Sequence, residues 1–129
     1  MIEAGLFTLL STNAAIAALC GTRIYPAVRP TGATYPAMTY RVIAGRARPT
    51  LNTSGMQRFR MQFDCYGATY GDAVDLRAAV GRLLNGYQGL LSDGTFLQNG
   101  IFLGPLDDFQ DDARIYCCGV EFYLMFDFP

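Results

Sequence analysis

The chain contains no histidine and no lysine, and all ten of its basic residues are arginine. A chain without lysine has no lysine nucleophile, Schiff base or P-loop amine. Without histidine the commonest general base is missing. Charge of any kind is scarce, at 16% of the 129 residues against about 25% in an ordinary soluble domain. There are four cysteines, Cys20, Cys65, Cys117 and Cys118. None is spaced as CxxC, and on a strand the adjacent Cys117 and Cys118 point to opposite faces, so no zinc site is expected. The apolar run at residues 14–20 is far short of the roughly 20 residues that cross a membrane. Glu3 stands where a secretory signal would carry basic residues. These absences lead us to expect no enzyme, no cofactor, no metal site and no membrane, and four reduced thiols in a protein made in the cytoplasm.

Hydrophobic residues make up 51%, and the length suits a single domain over residues 1–129. Such an apolar chain either forms a small, dense β core or leaves apolar surface for a partner to cover. Its few charges are segregated. Residues 1–63 hold seven arginines against Glu3 alone, and residues 64–129 hold three arginines against ten acids. The halves are thus +6 and −7. Strands from the two halves could interleave and cancel this in a monomer. Alternatively, the split gives a bipolar surface suited to head-to-tail self-association.

The clearest local signal is at residues 56–84. Phe59, Met61, Phe63 and Cys65 alternate with Arg58, Arg60, Gln62 and Asp64, which predicts a half-buried strand. A capping-box-like Thr69-x-x-Asp72 then opens a helix whose buried stripe is Ala73, Leu76, Val80, Leu83 and Leu84, ended by Asn85-Gly86. Upstream, residues 2–10 form a helix with Ile2, Leu6, Leu9 and Leu10 on one face. Ser11-Thr-Asn13 interrupts it, and residues 14–20 form a second helix stopped by Gly21. Residues 23–26 read as an edge strand, since proline removes a ladder donor. Residues 28–36 read as a loop that is either a contact arm or an ordinary connection. Residues 37–44 alternate as a strand, and residues 45–55 form a long hairpin connection.

Downstream, strand pieces around Phe96 and Phe102 are separated by a turn at Asn99-Gly100. An acidic turn follows at residues 107–112. Residues 115–128 are an aromatic strand, apolar on both faces and so expected to be covered on both sides. The fold class expected is α+β: a single mostly antiparallel sheet of four to five strands, with the N-terminal and middle helices packed on one face.

No constellation of chemistry emerges. Asp107, Asp108, Asp111 and Asp112 lack the alternating oxygen ligands and turn glycine of a calcium loop, and read as a solvated turn. Asp64, Glu121 and Asp127 lie on predicted strands with nothing to pair them as glycosidase carboxylates. Arginine and phenylalanine mix at residues 58–63, but a period of two sends the rings to the face opposite the arginines, unlike a sheet that stacks RNA bases.

The order of segments nonetheless resembles a family. Gly21-Thr-Arg-Ile-Tyr-Pro26 leads to Tyr35-Pro-Ala-Met-Thr-Tyr40, then to Phe59-Arg-Met-Gln-Phe-Asp-Cys-Tyr-Gly-Ala-Thr-Tyr70 running into a helix. The series resembles the tail-completion, or tail-terminator, proteins of long-tailed phages, prophages and gene-transfer particles. The likeness covers most of residues 1–84. It implies a structural, head-tail joining virion protein at the head-proximal end of the tail, assembled in the host cytoplasm. Such a protein caps the tail tube and ends its polymerisation as a ring, usually of six copies. The implied partners are other copies of itself, the tail tube protein and the head or neck connector, with DNA passing through the lumen.

The resemblance brings no contact motif, so the charge pattern supplies the expected interface. The basic set Arg41, Arg46, Arg48, Arg58 and Arg60 would meet Asp107, Asp108, Asp111 and Asp112 of the next copy. The alternative is a nucleic-acid-binding module that uses the arginine-rich first half.

Overall fold

A computed structural model describes residues 2–30, 32, 34–47, 56–110 and 114–127. The chain opens with α1 (Ile2–Thr12), which buries Ile2, Gly5, Leu6 and Leu10 along the one-turn spacing of a helix face. Ser11 and Thr12 lie inside its last turn, where their hydroxyls donate to the Thr8 carbonyl at 3.3 and 2.6 Å. The break is therefore a single residue. Asn13 turns extended and its side chain accepts the N–H groups of Ala15 and Ile16, capping α2 (Ala14–Cys20). The two helices meet at 83°. Gly21, at φ 58°, ends the second.

Among the described residues, six strands then form one sheet: β1 (Ile24–Pro26), β2 (Ala37–Ala47), β3 (Met56–Gly67), β4 (Gly89–Leu90), β5 (Phe96–Gln110) and β6 (Ile115–Asp127). Their order is β1-β2-β3-β6-β5-β4. The α+β expectation holds, with six strands in place of four to five. The additions are the short edge strands, and β1 pairs with β2 in parallel while every other pair is antiparallel. Strands of two or three residues carry too little sequence to show a period.

Between β3 and β4 runs α3 (Tyr70–Leu84). Thr69 caps it by accepting the Asp72 N–H at 3.1 Å. It buries Ala73, Leu76, Ala79, Val80 and Leu84, with Leu83 only partly covered. All three helices lie on one side of the sheet. There they enclose Met38, Phe59, Met61, Phe63, Val120, Phe122, Leu124 and Phe126. Phe63 and Phe122 meet edge to face at 6.2 Å, and Phe59 meets Phe126 likewise at 4.9 Å.

Several local expectations give way. Asn99-Gly100 is not a turn: β5 is continuous, with a bulge between Leu97 and Asn99. The acidic turn is largely strand, because Asp107 and Asp108 pair across to Cys118 and Cys117, and Asp111 and Asp112 lie outside the described residues. Gly45–Ala47 continues β2, and the rest of the long connection also lies outside them. β6 is central but covered fully on the helix side only. Glu121, Tyr123, Met125 and Asp127 on its other side are only partly buried. All four cysteines are buried free thiols. Burial pushes the Cys65 thiol well up, which makes it unreactive. Among the described residues no single helix is long and apolar enough to cross a membrane.

Candidate interaction face

The side of the sheet away from the helices is built by the alternate residues of β2, β3, β6 and β5. Because strand pairing puts opposite residues on the same face, the register defines its rows. Arg58 lies opposite Met125, Arg60 opposite Tyr123, Gln62 opposite Glu121, and Asp64 opposite Gly119. On the β2 side, Arg46, Ala44, Arg41 and Thr39 continue the same rows. On the β5 side, Asn99, Ile101, Gly104 and Leu106 do so.

The charged groups in the middle of this face are linked to one another. Arg60 donates through Nε to Glu121 Oε2 at 2.8 Å and through Nη2 to the same oxygen. The pair leaves the Arg60 side chain 43% exposed and the Glu121 side chain 14%. The Arg58 guanidinium lies 4.6 Å over the Tyr123 ring, a cation–π contact. Arg41 Nη2 donates to Gln62 Oε1 at 3.3 Å, and Gln62 Nε2 donates to Asp64 Oδ1 at 2.8 Å. Asp127 accepts from Gln98 at 2.6 Å. Each of the three strand carboxylates is thus held by an arginine or glutamine, Glu121 and Asp127 by residues that the register brings from far along the chain and Asp64 by its near neighbour Gln62. Two shallow open depressions flank Arg60. One is lined by Ala44, Gly45, Arg58 and Tyr123, the other by Leu103, Pro105, Leu106 and Glu121.

One end of the face is closed. The loop after β1 lies down on the sheet, with the Arg29 guanidinium 4.0 Å over the Tyr66 ring and its Nη1 donating to the Tyr35 hydroxyl at 2.7 Å. Arg23 Nε holds the Pro36 carbonyl at 2.8 Å. Tyr35 thereby covers a small second cluster of Tyr66, Ile115 and Cys117. Of the two readings of this loop, the described part is a packed connection.

The expected interface residues fall in two places. Arg41, Arg58 and Arg60 share the open face, with Arg46 across from Arg58 in the ladder. Arg48 lies outside the described residues. Asp107 and Asp108 stand near the far end of β5, three strands away from β2. Asp107 accepts from the Tyr70 hydroxyl at 3.0 Å and from Arg77 Nη1. The Tyr70 bond, helped by Arg77 and opposed by some burial, holds its carboxyl below the usual range. Among the described side chains of this basic set, Arg60 has a carboxylate partner of its own chain.

Sequence reasoning missed Glu121 and Tyr123 as partners. It also missed the apolar strip of β5, where Ile101, Phe102, Leu103 and Leu106 are 37 to 48% exposed. The only signal for that strip was the density of apolar residues at 101–106, which equally suits a core strand.

The family model described as "Tail completion protein gp17" matches residues 4–126. A solved structure titled "Virion of native gene transfer agent (GTA) particle" contains a chain with the same fold. Its TM-score is 0.81 at 21% identity, covering 98% of this chain and 95% of that one. No match was found among curated proteins.

Proposed function

We propose a role that proceeds from one fact about the chain: it belongs to the Tail completion protein gp17 family, matched over residues 4–126. A member of that family is a structural protein of a phage tail. In the reading offered here, residues 1–129 act as a single domain without enzymatic activity. They cap the head-proximal end of the tail tube, end its polymerisation and join it to the head or neck. Copies assemble in the host cytoplasm as a ring, of six in this proposal, with the tube protein on one side, a connector on the other and DNA passing through the lumen.

The family match carries this reading, and the placement of charge supports the ring. Arginines sit on β2 and β3, while Asp107 and Asp108 sit on β5 near the other edge of the same sheet. Two different edges of opposite charge favour a heterologous joint over a self-complementary one.

Electron microscopy of the purified protein mixed with tail tubes tests the role. The expected result is a ring on one end of each tube. Bare tube ends at saturating protein would overturn it. Charge reversal at Arg46 and Arg48 should reduce the capped fraction, and an unchanged fraction would remove these arginines from the interface. The nucleic-acid alternative has less support, because Phe59 and Phe63 are buried against the helices and cannot stack on bases. Binding to DNA that falls steeply with salt would revive it.

A further inference from the structure

Each long outer strand of the sheet is only partly covered. β1 pairs with β2 at residues 38–40 alone, which leaves the outer edge of β2 from Arg41 to Ala47 without a strand among the described residues. β4 pairs with β5 at residues 96–97, and the Gly86 N–H reaches the Gly100 carbonyl at 2.7 Å. From Ile101 to Gln110 the outer edge of β5 has no strand partner among the described residues.

Exposed apolar side chains gather on these same stretches. Val42 and Ile43 on β2 are 38 and 43% exposed, and Ile101, Phe102, Leu103 and Leu106 on β5 are similar. Exposed apolar residues concentrated on free strand edges mark a contact surface.

We propose that the β5 edge of one copy docks against the β2 edge of the next, so that the sheets of neighbouring copies join head to tail. This deepens the ring reading and rests on it. Three observations favour a second copy as the occupant. First, β2 and β5 run in opposite directions within the sheet, so rotationally related copies meet antiparallel, as the other strands mostly do.

Second, the free stretches lie at opposite ends of the sheet, which staggers the joint. Centring one on the other sets Ile43 opposite Leu106 and brings Arg41 near Asp107 and Asp108. Third, the charges match in that arrangement, whereas an antiparallel joint of two β2 edges would bring the arginine positions 41 and 46 of the two copies side by side. Pro105 and the bulge between Phe102 and Gly104 interrupt a continuous ladder. The joint is therefore carried mainly by side chains, and the same interruptions protect a lone copy from indiscriminate strand pairing.

The test is cross-linking. Copies carrying Ile43→Cys are mixed with copies carrying Leu106→Cys in the presence of tail tubes and treated with a short bis-maleimide. Wild type with its four buried thiols gives the background, and thermal melting checks that each variant folds. Cross-linked dimer should form in the mixture and not above background in either variant alone. Dimer from a single variant alone would overturn the head-to-tail edge contact. So would an uncross-linked mixture in a sample whose tubes are capped, and that result would leave the capping role intact. Cross-linking without capped tubes would support the edge contact and overturn capping. Neither product would overturn both.

Discussion

At the scale of single residues, two carboxylates tie distant segments together and make stability depend on pH. Asp93 accepts the Gly5 N–H at 3.2 Å and the Thr95 N–H at 3.0 Å, joining α1 to the turn before β5. Burial raises its pKa, but the hydrogen bonds from Thr95 and Gly5 outweigh this and leave it lowered. Asp107 is lowered too, by Tyr70 first and then Arg77. A carboxyl depressed in the folded state binds its proton more readily when unfolded, at about pH 4. Its contribution is therefore complete above that value and is lost as pH falls through the lower folded pKa. Asp93→Asn should lower Tm at neutral pH, and the gap to wild type should close as the pH drops below about 4. Melting curves across pH 2–7 check this; a gap that stays constant with pH would remove the ionised carboxylate from the account.

At the scale of elements, Gly100 shows why β5 was harder to read than β3. A Cβ placed there would lie 2.1 Å from the Leu84 carbonyl oxygen, so the glycine exists to let the end of α3 rest on the strand. Asn-Gly is also the strongest short-range turn signal, and sequence alone cannot separate the two uses. Gly100→Ala should destabilise by about 3 kcal/mol, as overpacking against fixed backbone does. Gly81, inside α3 with open space around its Cβ position, should respond oppositely, with Gly81→Ala gaining about 0.5–1 kcal/mol. Urea unfolding of both variants measures the contrast.

By comparison, the strand at residues 56–66 and the helix after it were legible because one face of each is buried, which stamps a period on the sequence. The candidate face was legible only in its arginines. Their partners were not, since the Arg60–Glu121 contact spans 61 positions and depends on the register of β3 against β6.

At the scale of the whole molecule, the two possibilities left open by composition turn out to act together. The chain has a dense core on the helix side, and it also leaves apolar strips on β2 and β5 uncovered. The charge halves interleave in part, because Arg60 of the first meets Glu121 of the second. Yet Arg41 remains exposed near one edge while Asp107 and Asp108 stand near the other. An edge joint that combines apolar strips with opposite charges should respond to two salts in opposite ways. Sodium chloride shortens the screening length from about 10 Å at 0.1 M to about 3 Å at 1 M and weakens only the charged component. Sulfate at matched ionic strength screens similarly but strengthens apolar burial. The fraction of capped tubes should therefore fall with sodium chloride and recover when sulfate replaces it. Counting capped ends by electron microscopy gives the readout. An equal fall in both salts would mean that charge alone holds the copies, and no fall in chloride would mean that the arginine and aspartate edges do not meet.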